Sequence, residues 1–302
     1  MSAHGRAIMG TRSAGVAVMS NSIQQILVGT DFSEPSINAV LHADALAQLC
    51  QANLTALFAQ VLHDDLSAGV LDAQWDQFRD RVGERFAALK SEYQVDFESR
   101  VERDVSARNA LLRTAESVDA DLIIVGTHGR TGMGRLALGS VAEGVVRDAP
   151  VSVLSVHYTT PHAPYRRILV PVDLSDRSGA TLRYAASLAE DFGAELAVVH
   201  VVEPLTVPPY FPLDYCAPAP DEVRGAVVEF VRKQLPDQDV PVHVLSSRVA
   251  EGVCRLAEDQ DFDLIVTGTR GLHGLMRLAL GSVAEKILRL SGVPVWIYKP
   301  AG

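Results

Sequence analysis

Short apolar runs along this chain alternate with longer stretches in which apolar residues recur at every third or fourth position. ILVGT (26–30) reads as a strand, and SINAVLHADALAQLC (36–50), which follows it, has the spacing of an amphipathic helix. LTALFAQV (54–61) predicts a second strand. Residues 72–92 then set Trp75, Phe78, Val82, Phe86 and Leu89 on one helical face. VDFESRVE (95–102) predicts a third strand and ARNALLRTAESV (107–118) a helix. DLIIV (121–125), a continuous apolar run, predicts a central strand, and it is followed by a helix at VAEGVVR (141–147) and a last strand at PVSVLSV (150–156). Strands that alternate with helices predict an α/β fold with a parallel, doubly wound sheet.

The pattern then starts again. Residue n matches residue n+142: ILVGTDFS (26–33) meets ILVPVDLS (168–175), and ANLTALF (52–58) meets AELAVVH (194–200). DLIIVGTHGRTGMGRLALGSVAE (121–143) meets DLIVTGTRGLHGLMRLALGSVAE (263–285), with 16 of 23 positions identical. An offset held over so long a span is a tandem duplication of one domain, not a short-period solenoid. The expected organisation is a flexible tail over 1–22, a first domain over 23–157, a linker over 158–164 and a second domain over 165–300. The segment EPLTVPPYFPLDYCAPAP (203–220) breaks the pattern with prolines and aromatics, and is expected to be a loop that serves packing.

Composition narrows the function classes. The net charge of −10 argues against general nucleic-acid binding, which needs Lys and Arg to neutralise phosphates. Of the three cysteines, Cys50 and Cys254 lie in helical patterns as small core residues, and Cys216 lies in the proline-rich segment. No CxxC pair is present, so neither a disulfide framework nor a zinc site is expected, and the cytoplasm is the expected compartment. No run approaches the ~18 apolar residues of a membrane helix.

The chemistry concentrates at GTHGRTGMGRLALGS (126–140), which leaves a buried strand carrying five glycines, and at its repeat GTRGLHGLMRLALGS (268–282). Gly126, Gly129, Gly139 and Ser140 have the spacing G-x2-G-x9-G-S, kept unchanged by Gly268, Gly271, Gly281 and Ser282. Glycine at a strand end permits positive φ and close approach of a ligand. Gly-Ser at a helix start presents unpaired N–H groups to an anion. The same residues also serve turns and caps without any ligand. Retention of the whole loop in both copies favours the phosphate reading.

In doubly wound sheets ligands bind at the carboxyl ends of the strands where the winding reverses. The first strand of each copy ends in Thr30-Asp31 and Val172-Asp173. An aspartate repels phosphate, so Asp31 and Asp173 are expected at the other end of the ligand, accepting from a ribose or base. The alternative is a turn or cap aspartate before the next helix.

At ILVGTDFS, ILVPVDLS and the G-x2-G-x9-G-S loop the sequence resembles the universal stress protein family in its tandem form and ATP-binding branch. The resemblance covers nearly the whole chain apart from the N-terminal tail. It implies two five-stranded sheets in the order 3-2-1-4-5, of the adenine nucleotide alpha hydrolase-like kind. It implies ATP, with Mg2+, between the first and fourth strands. Thr30 and Asp31, or Val172 and Asp173, would then face the ribose or adenine. Gly126, Gly129, Gly139, Ser140 and Val141 would hold phosphate in the first copy, and Gly268, Gly271, Gly281, Ser282 and Val283 in the second. Val201 matches the backbone position that reads adenine. Its counterpart is Ala59, a swap that a backbone contact tolerates but whose smaller side chain weakens adenine packing, so that if one site is weaker it is the first. The resemblance also implies association through the last strands, which here gives an internal pseudo-dimer, with a homodimer of whole chains and a regulatory protein partner left open.

No GxxxxGK[ST] loop is present. His128 and Arg270 are matched, as are Thr131 and His273, so no histidine of the loop is duplicated as a base. Arg135 and Arg277 are matched and could serve a γ-phosphate or surface pairs. The expected function is ATP-binding regulation in a stress response, with adenine nucleotide at one or two sites. Slow Mg2+-dependent hydrolysis and a purely structural glycine loop are the alternatives.

Overall fold

The computed structural model describes residues 23–62, 68–127, 138–157, 163–204, 220–269 and 280–300, with side chains of 68–73 and 220 outside the description. The first half runs β1 (Gln25–Gly29), α1 (Glu34–Cys50), β2 (Asn53–Val61), α2 (Ala68–Tyr93), β3 (Glu98–Asp104), α3 (Ala107–Ser117), β4 (Leu122–Gly126), α4 (Ser140–Asp148) and β5 (Ser152–Val156). The second repeats the order with β6 (Arg167–Pro171), α5 (Asp176–Phe192), β7 (Glu195–Val202), α6 (Pro220–Gln234), β8 (Val242–Ser246), α7 (Val249–Asp259), β9 (Leu264–Gly268), α8 (Ser282–Leu290) and β10 (Val295–Tyr298). No described helix is long and apolar enough to cross a membrane.

All ten strands form one sheet, in the order β3-β2-β1-β4-β5-β10-β9-β6-β7-β8. Each half has the internal order 3-2-1-4-5, with parallel neighbours throughout. Alternation along each strand supplies two cores. Ile26 and Val28 face the layer of α1, α2, α5 and α6, whereas Leu27 faces α3, α4, α7 and α8. With both faces covered, β4 is apolar at every position before its terminal glycine, as buried parallel strands are.

The halves join where β5 meets β10 antiparallel, pairing Ser155 with Val295, Leu154 with Trp296 and Val153 with Ile297. The β5 and β10 edges thus cover each other, the internal association that the resemblance implies. Trp296 is wholly buried at this seam. Its large apolar area contributes a few kcal/mol, on the order expected for burying an aromatic side chain. The Lys299 ammonium also crosses the seam, donating to the carbonyl of Ala149 at 2.5 Å and of Arg147 at 3.3 Å. These carbonyls lie at the end of α4, where a cation is favourable. Burial holds this lysine below its ordinary value, at about 8.

One expected element starts elsewhere. The third strand is Glu98–Asp104, not 95–102. Gln94 takes φ 56° to end α2, and Val95 and Phe97 then pack into the core as irregular chain. Pairing begins only where Glu98 meets Thr55. Cys254 is buried in α7 and Cys50 half-buried at the end of α1, both as free thiols. Cys216 and nearly all of the proline-rich segment lie outside the described residues.

Candidate functional site

In each half the winding reverses between the first and fourth strands. β1 returns through α1 to β2 on one side, and β4 lies on the other. Val28 pairs with Ile124, which sets Thr30 abreast of Gly126. In the second half Leu169 pairs with Ile265, which sets Val172 abreast of Gly268. The chain of each first strand is anchored to its neighbour: Thr30 N–H donates to Leu57 O and Val172 N–H to Val199 O, both at 2.9 Å. Ala59 and Val201 lie two residues further along, half-buried against the α3/α4 and α7/α8 core.

Beyond the strand ends the two copies build the same turn. The Asp31 carboxylate accepts from Ser33 N at 3.0 Å and Ser33 Oγ at 2.5 Å. Asp173 accepts from Ser175 N at 3.1 Å and Ser175 Oγ at 2.6 Å. These carboxylates therefore do hold a turn before a helix, which was the alternative to a ligand role. Phe32 and Leu174, directly after them, sit at φ 60° and 62°. Neither residue type favours that region, so the strain is kept by the surrounding contacts. Thr30 is buried and ties the turn together, with Oγ1 3.0 Å from Ser36 Oγ and accepting from Phe32 N at 3.0 Å.

The other wall is a helix end. Gly139 and Gly281 are the N-caps of α4 and α8, with φ −62° and −67° and no side-chain cap bond. Their N–H groups donate back to Thr127 O and Thr269 O, each at 2.6 Å. Ser140 and Ser282 are therefore first-turn residues rather than caps. Val141 and Val283, next in line, are 37% and 38% exposed. Each helix thus begins at the strand-end cleft with first-turn N–H groups that no capping side chain covers.

The positive φ that a strand-end glycine permits is not used at Gly126. Among the described glycines only Gly193 has it. Gly126 is required for space: a Cβ there would stand 2.9 Å from the carbonyl oxygen of Pro35. The bare strand end lets the start of α1 lie against β4.

The structure thus brings Thr30, Asp31, Gly126, Gly139, Ser140 and Val141 to one strand-end cleft, and Val172, Asp173, Gly268, Gly281, Ser282 and Val283 to the other. Gly129, Gly271, Arg135, Arg277, His128, Arg270, Thr131 and His273 lie outside the described residues. Sequence reasoning missed Ser33 and Ser175, which hold the aspartates, and Thr127 and Thr269, which close the loop base. All four stand at matched positions of the repeat, so the duplication itself was the signal. The clefts also differ. Phe32 stacks on Phe58 at 5.4 Å, with the Arg85 guanidinium over its ring at 4.4 Å. At the matched positions, Leu174 and His200, the imidazole Nδ1 lies 2.8 Å from Val172 O. Among the described residues no cluster of three or more His, Cys, Asp or Glu could hold a metal ion.

A model of the Universal stress protein family matches residues 22–157 and again 164–299. A universal stress protein of Mycolicibacterium smegmatis is 26% identical over 299 residues, 94% of this chain and 99% of the relative. One of Methanocaldococcus jannaschii is 32% identical over 143 residues, 45% of this chain and 82% of the relative. The crystal structure of a universal stress protein from Archaeoglobus fulgidus shares the fold with a TM-score of 0.67 at 22% identity, covering 92% of this chain and 98% of that one. With one family match in each half, together spanning most of its length, the chain belongs to the universal stress protein family, with two of its domains in tandem.

Proposed function

We propose that this chain is an ATP-binding regulatory protein of the cytoplasm, with one adenine nucleotide site in each half, acting in a stress response. The observation that carries the reading is the repeated helix start. In both halves a glycine N-cap with no side-chain cap bond opens a helix at the strand-end cleft. The helix dipole alone contributes only ~0.3–1 kcal/mol to anion binding. Hydrogen bonds to a charged group contribute about 1.5–3 kcal/mol each, so the N–H groups would carry most of the affinity.

In this reading Gly126, Gly129, Gly139, Ser140 and Val141 hold the phosphates of the first nucleotide. Gly268, Gly271, Gly281, Ser282 and Val283 hold those of the second. Asp31 and Asp173, which also hold the turn, face a ribose or base beside Thr30 and Val172. The backbone at Ala59 and Val201 meets the adenine edge. Mg2+ would arrive with the triphosphate and offset part of its charge. A partner protein would then read the nucleotide state.

The test is the nucleotide content of the purified protein, released by denaturation and identified by mass spectrometry, followed by titration with ATP and Mg2+. ATP approaching two per chain, with little phosphate released over hours, is the expected result. Sustained phosphate release would make the protein an ATPase instead. Absence of binding by any adenine nucleotide would leave the glycine loop a structural feature only.

A further inference from the structure

We propose that Arg289 couples the two sites, so that a nucleotide held at one weakens the hold of the other. This inference rests on the reading of both helix starts as nucleotide sites. Glu143 lies in the first turn of α4 and Glu285 in the first turn of α8. Each closes that turn, donating its N–H to the N-cap glycine carbonyl at 2.9 Å. Such a carboxylate suits the positive end of the helix but repels an arriving phosphate. Both glutamates share one cation. Arg289 Nη2 stands 3.0 Å from Glu143 Oε2 across the seam and 3.1 Å from Glu285 Oε1 in its own helix.

The duplication provides an internal control. The matched arginine, Arg147, does not make the mirror-image bridge. Its Nε lies 3.1 Å from Asp148 Oδ1, and Asp148 also pairs with Arg108 at 3.0 Å. The residue matched to Asp148 is Leu290, which is exposed and apolar. With no carboxylate at the next position to draw it aside, Arg289 reaches both first turns.

One positive charge cannot neutralise two carboxylates equally once a phosphate sits beside one of them. A phosphate on the start of α4 draws the guanidinium towards Glu143. Glu285 is then less neutralised and opposes a second phosphate on α8. The effect is reciprocal, because coupling between two binding sites is. The groups are partly exposed, and pairs of that kind move an equilibrium by about two- to five-fold.

Calorimetric titration of the full chain with ATP and Mg2+ tests this. Gly139→Val and Gly281→Val report each site alone. In the wild-type chain the second step is expected to be weaker, by about two- to five-fold, than the same site measured with the other blocked. In Arg289→Gln that difference is expected to vanish. It should vanish also in Leu290→Asp, which gives Arg289 a local partner at an exposed position. Arg147→Gln should keep it. A difference unchanged in both Arg289→Gln and Leu290→Asp overturns the coupling while leaving nucleotide binding intact. Two independent sites, or one nucleotide per chain, in the wild type overturn it as well. No binding at all removes the nucleotide reading itself, and the coupling with it.

Discussion

The N–H of Gly139 donates to the carbonyl of Thr127 across 2.6 Å, and the pair Gly281 and Thr269 repeats the bond at the same length. The chain that leaves β4 at Thr127 is thereby returned to the same residue as α4 begins. Because Gly139 has φ −62°, proline fits its backbone angle but lacks the N–H. Gly139→Ala is expected to fold with nearly wild-type stability. Gly139→Pro is expected to lose about 1 kcal/mol, the net worth of one hydrogen bond, and nucleotide binding in the first half. Urea unfolding and ATP titration of the two variants measure both effects. Equal behaviour of Ala and Pro would mean the bond has no role.

At Gly126 the constraint is steric. An added Cβ meets the Pro35 carbonyl oxygen at 2.9 Å, and that atom is backbone held at the start of α1. Gly126→Ala is expected to cost about 1–3 kcal/mol, as overpacking does, read as a lower urea midpoint. Gly83, which has open space around it, is the control, and Gly83→Ala should be neutral or stabilising.

Asp31 and Asp173 can be divided into their two roles. Asparagine keeps an oxygen to accept from Ser33 or Ser175 but carries no charge. Asp31→Asn is therefore expected to retain stability and lose affinity for ATP. Asp31→Ala should lose both, with a stability cost of about 1 kcal/mol. If Asp31→Asn binds ATP as the wild type does, the carboxylate belongs to the turn alone.

Lys299 gives the seam a pH dependence of known sign. Burial lowers its folded value from 10.5 to about 8, against a smaller opposing pull from Asp148. Between those two values the unfolded chain binds more protons than the folded one, so this group makes the fold more stable as pH rises from about 8 to 10.5. Cys50 and Cys254 act oppositely. Burial raises them from 9.0 to about 11 and about 12, so their contribution is lost as pH climbs above 9.0. The difference between wild type and Lys299→Met isolates the lysine. The wild-type urea midpoint is expected to gain on the variant across that window, and a flat difference would refute the assignment.

The alternation of strands and helices, both repeats and the strand-end aspartates were legible because each is written in local pattern or in the 142-residue offset, whereas the sheet order came only with the family resemblance. The start of β3 was not legible, because Val95 and Phe97 are apolar for the core and not for the ladder. The use made of Gly126 was not legible for a related cause: a glycine in a sequence does not tell whether it provides φ or space. The left-handed Phe32 and Leu174 carry no compositional signal at all. Contacts such as Arg289 with Glu143, or Tyr165 OH 3.3 Å from His42 Nδ1, join residues more than a hundred positions apart. No periodicity announces them.

The antiparallel meeting of β5 and β10 places the carboxyl ends of the two half-sheets on opposite edges of one slab. The two clefts therefore open in opposite directions. An assembly of identical subunits would have to show the same face on both sides. A fused pair is released from that symmetry, and this chain uses the freedom where Phe58 of the first half is matched by His200 in the second. One molecule can thereby offer its surroundings two unlike surfaces at a ratio that dilution cannot change.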